Sequence, residues 1–285
     1  IIEHVKVLSS LGSRVTGYNG SLKAANYIAS YFRKLNIKPG GTDGYLMPYE
    51  LVVPVDHGSS IKVIKTGEVI KAYALWPNGI QTCITSSEGL SGKIIYVGRG
   101  SLENGDFDGK DIEGAIALMD FNSGDNWINA ARLGAKAVVF IAPEDTDYYE
   151  CLNKFLDTPL YFPRLYVNKH DGYHLMELAR KGEEVSLFVK MRYEKLTAYN
   201  VIGVVNGSEP NDVIIVAAHY DTWSVVPAVS YGANEATSVA LLLELAKYFS
   251  THKPRKTIWF VALSGHWEAL AGAREFIERY YFSSE

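Results

Sequence analysis

VIIVAAHYDT, running from Val213 to Thr222, is an apolar stretch that ends in a His-x-Asp pair. A short continuous apolar run bounded by polar residues has the length of a buried β-strand rather than of a helix. Residues two apart on an extended segment point the same way, so His219 and Asp221 leave the strand together at its carboxyl end. In an open α/β sheet that end is where ligands bind. The pair can act as a metal-bound imidazole with a carboxylate fixing its tautomer, or it can be a His–Asp hydrogen bond that closes a strand end. The motif alone leaves both readings open.

Working outward, the same alternation of strand and helix continues on both sides. Asn200–Val205 reads as a strand before the motif. After it, Tyr231-Gly232-Ala233-Asn234-Glu235 leads into a helix over Ala236 to Phe249, with Val239, Leu242, Leu243, Ala246 and Phe249 on one face. Thr257–Leu263 is a third strand, and Glu268–Tyr280 a further helix. The predicted fold class is therefore α/β, a mixed sheet covered by helices on both faces. Glu235 is either a first-turn carboxylate, favoured by the helix dipole, or a bridging metal ligand. The segment Ser264-Gly265-His266-Trp267-Glu268 sits at the next strand end, where His266 could either work on a substrate or fill a structural place.

Two other blocks precede this one. Residues 1–42 read as helices, with Leu22, Ala25, Ile28, Ala29 and Phe32 on one stripe before Gly40-Gly41. They are too few for a core of their own. From about Tyr45 the period shortens: Glu50–Val55, Ser60–Ile64 and Lys93–Gly98 read as short β segments, Ala115–Met119 and Ala137–Ile141 as buried strands flanking a helix from about Trp127 to Leu133, and Leu165–Val167 and Val185–Met191 as further strands. The expected organisation is an α/β domain of residues 1–44 plus 196–285, with a β-rich domain of residues 45–195 inserted.

The bulk composition excludes several classes. A net charge of −4 and the lack of a long basic run give no electrostatic case for nucleic acid. No apolar stretch approaches the ~18 residues of a membrane span. Cys83 and Cys151 have neither CxxC nor CxxH spacing, so no thiolate zinc site is expected, and they read as two unpaired thiols with a packing role. The sequence opens on Ile1, which leaves a preceding leader or membrane anchor, and with it the location, open. Gln81 is the only glutamine, a feature that hints at a hot-living source. His170 and His174 are four apart on a helical pattern but lack an acid at metalloprotease spacing, and Ser264 has no nucleophile elbow.

The order His-x-Asp after a strand, Gly-Ala-Asn-Glu before a helix, then strand-Ser-Gly before a helix resembles the zinc aminopeptidases of family M28. The opening stretch LSSLGSRVTGYNGSLKAANYIASYF is similar to that family's helical entry. FDGKDIEGAIALMDF and NWINAARLGAKAVVFI resemble the protease-associated (PA) domain that many members carry as an insertion. The resemblance implies a metallo-aminopeptidase acting on peptides or proteins, with His219 as a zinc ligand, Asp221 orienting it and Glu235 in the bridging position. There Glu235 is one methylene longer than the family's usual Asp.

The family then has a Glu-Glu pair, a general base followed by a zinc ligand, where this chain has His266 and Trp267. An indole cannot ligate zinc, because its nitrogen only donates. His266 can take a proton or bind metal with different geometry, and Glu268 lies one position too far along. The family's two later ligands, an acid and a His, find no counterpart in the residues given. The expectation is an altered site with a single zinc ion or none, weak or inactive as a peptidase. The other reading is a non-catalytic relative that binds peptides or proteins.

Overall fold

Val213–Ala218 is indeed extended, as part of a strand that runs in parallel beside a second apolar run, Thr257–Leu263, with His219 opposite Leu263. The computed structural model describes residues 1–282, apart from the side chains of Pro210 and Asn211. Numbered in chain order, the helices are α1 (Ile2–Ser10), α2 (Asn19–Lys34), α3 (Trp127–Arg132), α4 (Tyr148–Leu152), α5 (Lys169–Arg180), α6 (Ala236–Thr251) and α7 (Ala271–Ile277). The strands are β1 (Lys38–Pro39), β2 (Leu46–Val63), β3 (Val69–Ala74), β4 (Leu90–Tyr96), β5 (Ile116–Asp120), β6 (Ala137–Ile141), β7 (Arg164–Val167), β8 (Glu184–Val205), β9 (Glu209–His219) and β10 (Lys256–Leu263). The chain divides into two compact units, one of residues 1–53, 194–223 and 229–285, the other of residues 54–193 and 224–228.

In the first unit β1 and β10 each pair antiparallel with the second half of β8, and β10 pairs parallel with β9 through the crossover helix α6. Alternation along β10 splits its side chains between two layers. Ile258, Phe260 and Ala262 pack with Leu8 of α1, Ile28 and Phe32 of α2, and Val239 and Leu243 of α6. Val261, flanked by Trp259 and Leu263, faces the other way, toward Ile202, Met47 and Phe276 of α7. The mixed sheet is thus covered by helices on both faces, as the sequence pattern predicts. Beyond β9 no further strand pairs among the described residues. Val213, Ile214 and Ile215 stand 50%, 46% and 53% exposed along that open edge.

The helix expected from Glu268 begins later, at Ala271. Ala269 and Leu270 are held in the left-handed region at φ 55° and 58°, which interrupts helical winding and leaves His266–Leu270 as a turn. The close approach of that turn to the sheet needs a glycine. A Cβ on Gly272 would lie 2.2 Å from the Ser264 carbonyl oxygen and 2.4 Å from Asn200 Oδ1. Asn200 ties the two segments by donating to the Gly272 carbonyl (2.7 Å) and accepting from the Ser264 N–H (3.1 Å).

In the second unit the pairings run β2-β3-β7-β6-β5-β4-β8, with β4 to β7 parallel, around a core that includes Ile61, Leu118, Val139, Leu165, Leu175 and Leu187. The sequence-read segments at 50–55 and 60–64 are one continuous strand, β2, and those at 185–191 and 200–205 are one strand, β8. Two buried cations brace the loops. Lys154 Nζ donates to Glu150 Oε2 (2.9 Å) and to the Gly124 carbonyl (2.6 Å), under the ring of Phe121. Arg164 donates to the carbonyls of Lys154 and Trp76 and stacks on Trp127. Cys83 and Cys151 are free thiols. No helix among the described residues is long and apolar enough to cross a membrane.

Gly272→Ala should therefore destabilise the first unit by about 2–4 kcal/mol, because the added methyl meets backbone rather than a movable side chain. Urea unfolding measures this, and a loss below roughly 1 kcal/mol would show that the strand end gives way freely.

Candidate functional site

The parallel register of β9 and β10 places both strand ends side by side. One delivers His219–Asp221, the other Ser264–Glu268. The structure brings four of the five candidate residues into one cluster around Asp221, which is fully buried. Its Oδ1 lies 3.3 Å from His219 Nδ1. Its Oδ2 accepts from the His266 backbone N–H at 2.8 Å and from the Thr16 hydroxyl at 3.3 Å. A carboxylate only accepts, so this contact places the His219 hydrogen on Nδ1 and leaves Nε2 as the free lone pair.

The His266 ring stacks on the His219 ring, with centroids 4.1 Å apart and planes 12° from parallel. Trp267 presents its edge to both, and Trp223 lies against Trp267. The hydrogen bond to Asp221 holds His219 above its ordinary pKa against the opposing effect of burial. Burial, then the neighbouring His219 charge, pulls His266 below its ordinary value.

Glu268 turns away from solvent. Both its carboxylate oxygens are buried without a hydrogen-bond partner among the described residues. Burial, reinforced by Asp221, pushes its pKa up to about 7, and the nearby Thr16 offsets part of that rise. Glu235 stands at the N-cap of α6 without making a capping bond, so its carboxylate is not committed to the helix. It folds back over Gly232, where a Cβ would lie 2.9 Å from Oε2 and 2.0 Å from Thr222 Cγ2. Its charge acts on both His219 and Arg14.

Arg14 was not singled out from the sequence. Its fully buried guanidinium donates to the carbonyls of Leu8, Tyr220, Tyr231 and Gly232 at 2.6–2.9 Å, tying α1, the His219–Asp221 segment and the Glu235 loop together. Thr16, which also accepts from the Gly265 N–H (3.1 Å), was missed too. The signal was present in Gly-Ser-Arg-Val-Thr-Gly: a cation and a hydroxyl in a tight link between two helices. Ser264 is no nucleophile. Its hydroxyl is held by Tyr49 and the Tyr199 carbonyl. A crevice of about 320 Å³ opens beside the imidazole pair, lined by His219, His266, Ser238, Ser264 and Leu270 among others.

Against this geometry, residues 200–284 match Peptidase family M28. Aminopeptidase YwaD of Bacillus subtilis is 23% identical over 273 residues, covering 94% of this chain and 55% of its own length. A protein named "Probable zinc metalloprotease" from Pyricularia oryzae is 36% identical over 88 residues, 28% of this chain and 17% of its own. Among solved structures, a zinc aminopeptidase from Bacillus subtilis superposes with a TM-score of 0.62 at 24% identity, over 97% of this chain and 63% of that one. A peptidase M28 precursor from Shewanella amazonensis gives 0.58 at 19%, over 98% and 66%. The fold is thus similar to that of these solved structures, and residues 200–284 resemble Peptidase family M28. The chain spans 55% of the length of the Bacillus subtilis relative and 17% of that of the Pyricularia oryzae relative.

The two imidazoles do not converge as a pair on a single zinc ion. Nitrogen lone pairs lie in their ring planes, so two imidazoles stacked nearly parallel cannot converge on one ion at ~2.0–2.1 Å. His219 Nε2 and Glu235 remain, and no group of three or more His, Cys, Asp or Glu gathers in metal-binding range among the described residues. A binuclear centre needs two fully ligated ions ~3.5–4 Å apart.

Two measurements probe these assignments. In NMR titrations His219 should titrate above and His266 below an ordinary imidazole, and Asp221→Asn should bring His219 down; an unmoved His219 would exclude the Asp221 bond as the cause. For Glu268 the folded pKa lies above the unfolded one, so its contribution is intact below about pH 4.5 and is lost as pH rises through about 7. Glu268→Gln should match the parent at pH 4 and exceed it at pH 8 by up to roughly 3 kcal/mol. Equal slopes of stability against pH in both proteins would remove Glu268 as the source.

Proposed function

We propose that this chain carries the core of an M28-type metallo-aminopeptidase, directed at the N-terminal end of peptides, whose metal site is altered so that hydrolysis is weak or absent. The reading rests on one observation. The imidazole of His266, stacked on His219 and fixed through its backbone to Asp221, stands at the strand end where the resemblance calls for a carboxylate base. His219 and Glu235 are the candidate zinc ligands in this reading, and Asp221 orients His219 by holding its Nδ1 hydrogen. His266 and Glu268 are the groups available to move a proton. Glu268, pushed up to about 7, exchanges its proton near neutral pH.

In the same proposal the second unit is a PA-like domain inserted between the two parts of the peptidase-like domain, near residues 45 and 195. The strands β5, β6 and β7 and the helix α3, which fall on the segments read from the sequence as strands and a helix, support this. A second reading, a non-catalytic relative that binds peptides or proteins, is favoured by the failure of the two imidazoles to converge. The crevice beside them remains open to a peptide in either case.

Metal analysis after incubation with excess zinc and dialysis, paired with a panel of aminoacyl substrates, tests the proposal. Less than one equivalent of zinc and barely measurable turnover are expected. Replacing His266 and Trp267 together by Glu should raise zinc retention by at least ~10-fold. Two retained equivalents in the parent, with robust turnover abolished by His219→Ala, would overturn the altered-site reading. Peptide binding with no turnover in either protein would favour the second reading.

A further inference from the structure

The turn His266–Leu270 is built against the preferences of its own residues. Alanine and leucine favour the right-handed helix, but Ala269 and Leu270 lie at φ 55° and 58°, where the Cβ crowds a carbonyl oxygen. The turn is also inside out. Trp267 and Leu270 stand 37% and 49% exposed. The carboxylate of Glu268 points inward, with both oxygens buried and no hydrogen-bond partner among the described residues. Ordinary burial preferences would reverse all three placements. The posts on either side are fixed: the Gly272 N–H donates to the Ser264 carbonyl (3.2 Å), and Asn200 clasps both residues. Rearrangement is therefore confined to residues 265–271.

One short rearrangement removes the conflict. If α7 gains a turn at its start, Ala269 and Leu270 become right-handed. Glu268 then stands in the first helical turn, where the dipole favours a carboxylate in water. His266 gives up the bond from its backbone N–H to Asp221 (2.8 Å), and its stack on His219 opens. Leu270, which lines the crevice beside the two rings, moves as well. We propose that His266–Leu270 is a two-state latch over this crevice, shut while Glu268 is protonated and tucked beside Asp221, and open once the ionised carboxylate leaves for solvent.

The groups facing Glu268 set the direction of the response. Asp221, just past β9, opposes a charge on it, the Thr16 hydroxyl of the α1–α2 link is the nearby donor, and burial keeps the Tyr49 phenol of β2 protonated. No lysine or arginine acts on Glu268 among the described residues, and Arg14 acts on Asp221 and Glu235 instead. His219 reaches the cluster through Asp221, and His266 is held below its ordinary value. The shut turn holds Glu268 at about 7 against an ordinary 4.5, so ionisation shifts the balance toward the open state by at most roughly 300-fold. The latch requires no bound metal, so its failure and that of the peptidase reading are separate results.

The test follows the backbone carbon NMR shifts of Ala269 and Leu270 in the full chain from pH 5 to 9. These shifts separate left-handed from right-handed residues whatever the nearby imidazoles do. Movement toward helical values above about pH 7 is expected, together with loss of the His219–His266 ring contact. In Glu268→Gln, which cannot ionise, both residues should keep their left-handed shifts throughout, and circular dichroism at pH 5 should match the parent. Leu270→Gly supplies an independent arm. Glycine accepts the left-handed conformation without strain, so the midpoint, followed at Ala269, should rise by about 0.5–1 pH unit. Shifts that do not change with pH in the parent, the same transition in Glu268→Gln, or an unmoved midpoint in Leu270→Gly overturns the latch.

Discussion

The side chain of Asp221 is sealed from solvent, and a carboxylate in that position persists only where donors and a counter-charge meet it. Here the donors come from three different segments: the His219 ring, the backbone of His266 and the hydroxyl of Thr16. Arg14 supplies the nearby positive charge while holding the carbonyls of Tyr220, Tyr231 and Gly232. One buried acid therefore sets the relative positions of two strand ends and of the link between α1 and α2. The stacked imidazoles follow from that constraint. With His219 tethered through Nδ1 and His266 tethered through its backbone, the two rings meet face to face rather than edge to edge.

Much of this was legible in the sequence because it is written in periodicity. The six apolar residues before His219, the two alternating faces of Thr257–Leu263 and the stripe on Ala236–Phe249 give the α/β architecture of the first unit without further information. The merging of separate β segments into β2 and β8 was not legible. A long strand that passes from one compact unit into another changes its neighbours midway, so its pattern of polar and apolar residues breaks while its backbone does not. The late start of α7 was hidden for a different reason. Ala269 and Leu270 are good helix formers, yet both stand in the left-handed region, in a turn that ends where Gly272 packs against Ser264.

Within the candidate site, residue types were readable and their directions were not. His219 and Asp221 share a side of an extended segment, and that reading matches their contact. The sequence could not say that His266 would lie over His219 as a stacked plane, or that Glu268 would turn inward, away from solvent. Both outcomes depend on which backbone N–H reaches Asp221, and that is fixed by the turn at Gly265, not by any local preference of the side chains. Arg14 escaped notice because its partners are carbonyl groups, which leave no mark in a string of residue names.

The open edge of β9 carries a consequence for how variation in this chain should be interpreted. Val213, Ile214 and Ile215 are half exposed along a strand that has no further pairing partner beyond it among the described residues, and an edge of that kind invites another strand to add to it. Lysine or glutamate arising at these three places would alter how readily copies of the polypeptide adhere to one another while sparing the interior. The same replacements at Val239 or Leu243, which are buried against the opposite side of the sheet, would erase the fold. Polarity gained at positions only one helix apart thus reports on two unrelated properties, colloidal behaviour in one case and the existence of a native state in the other.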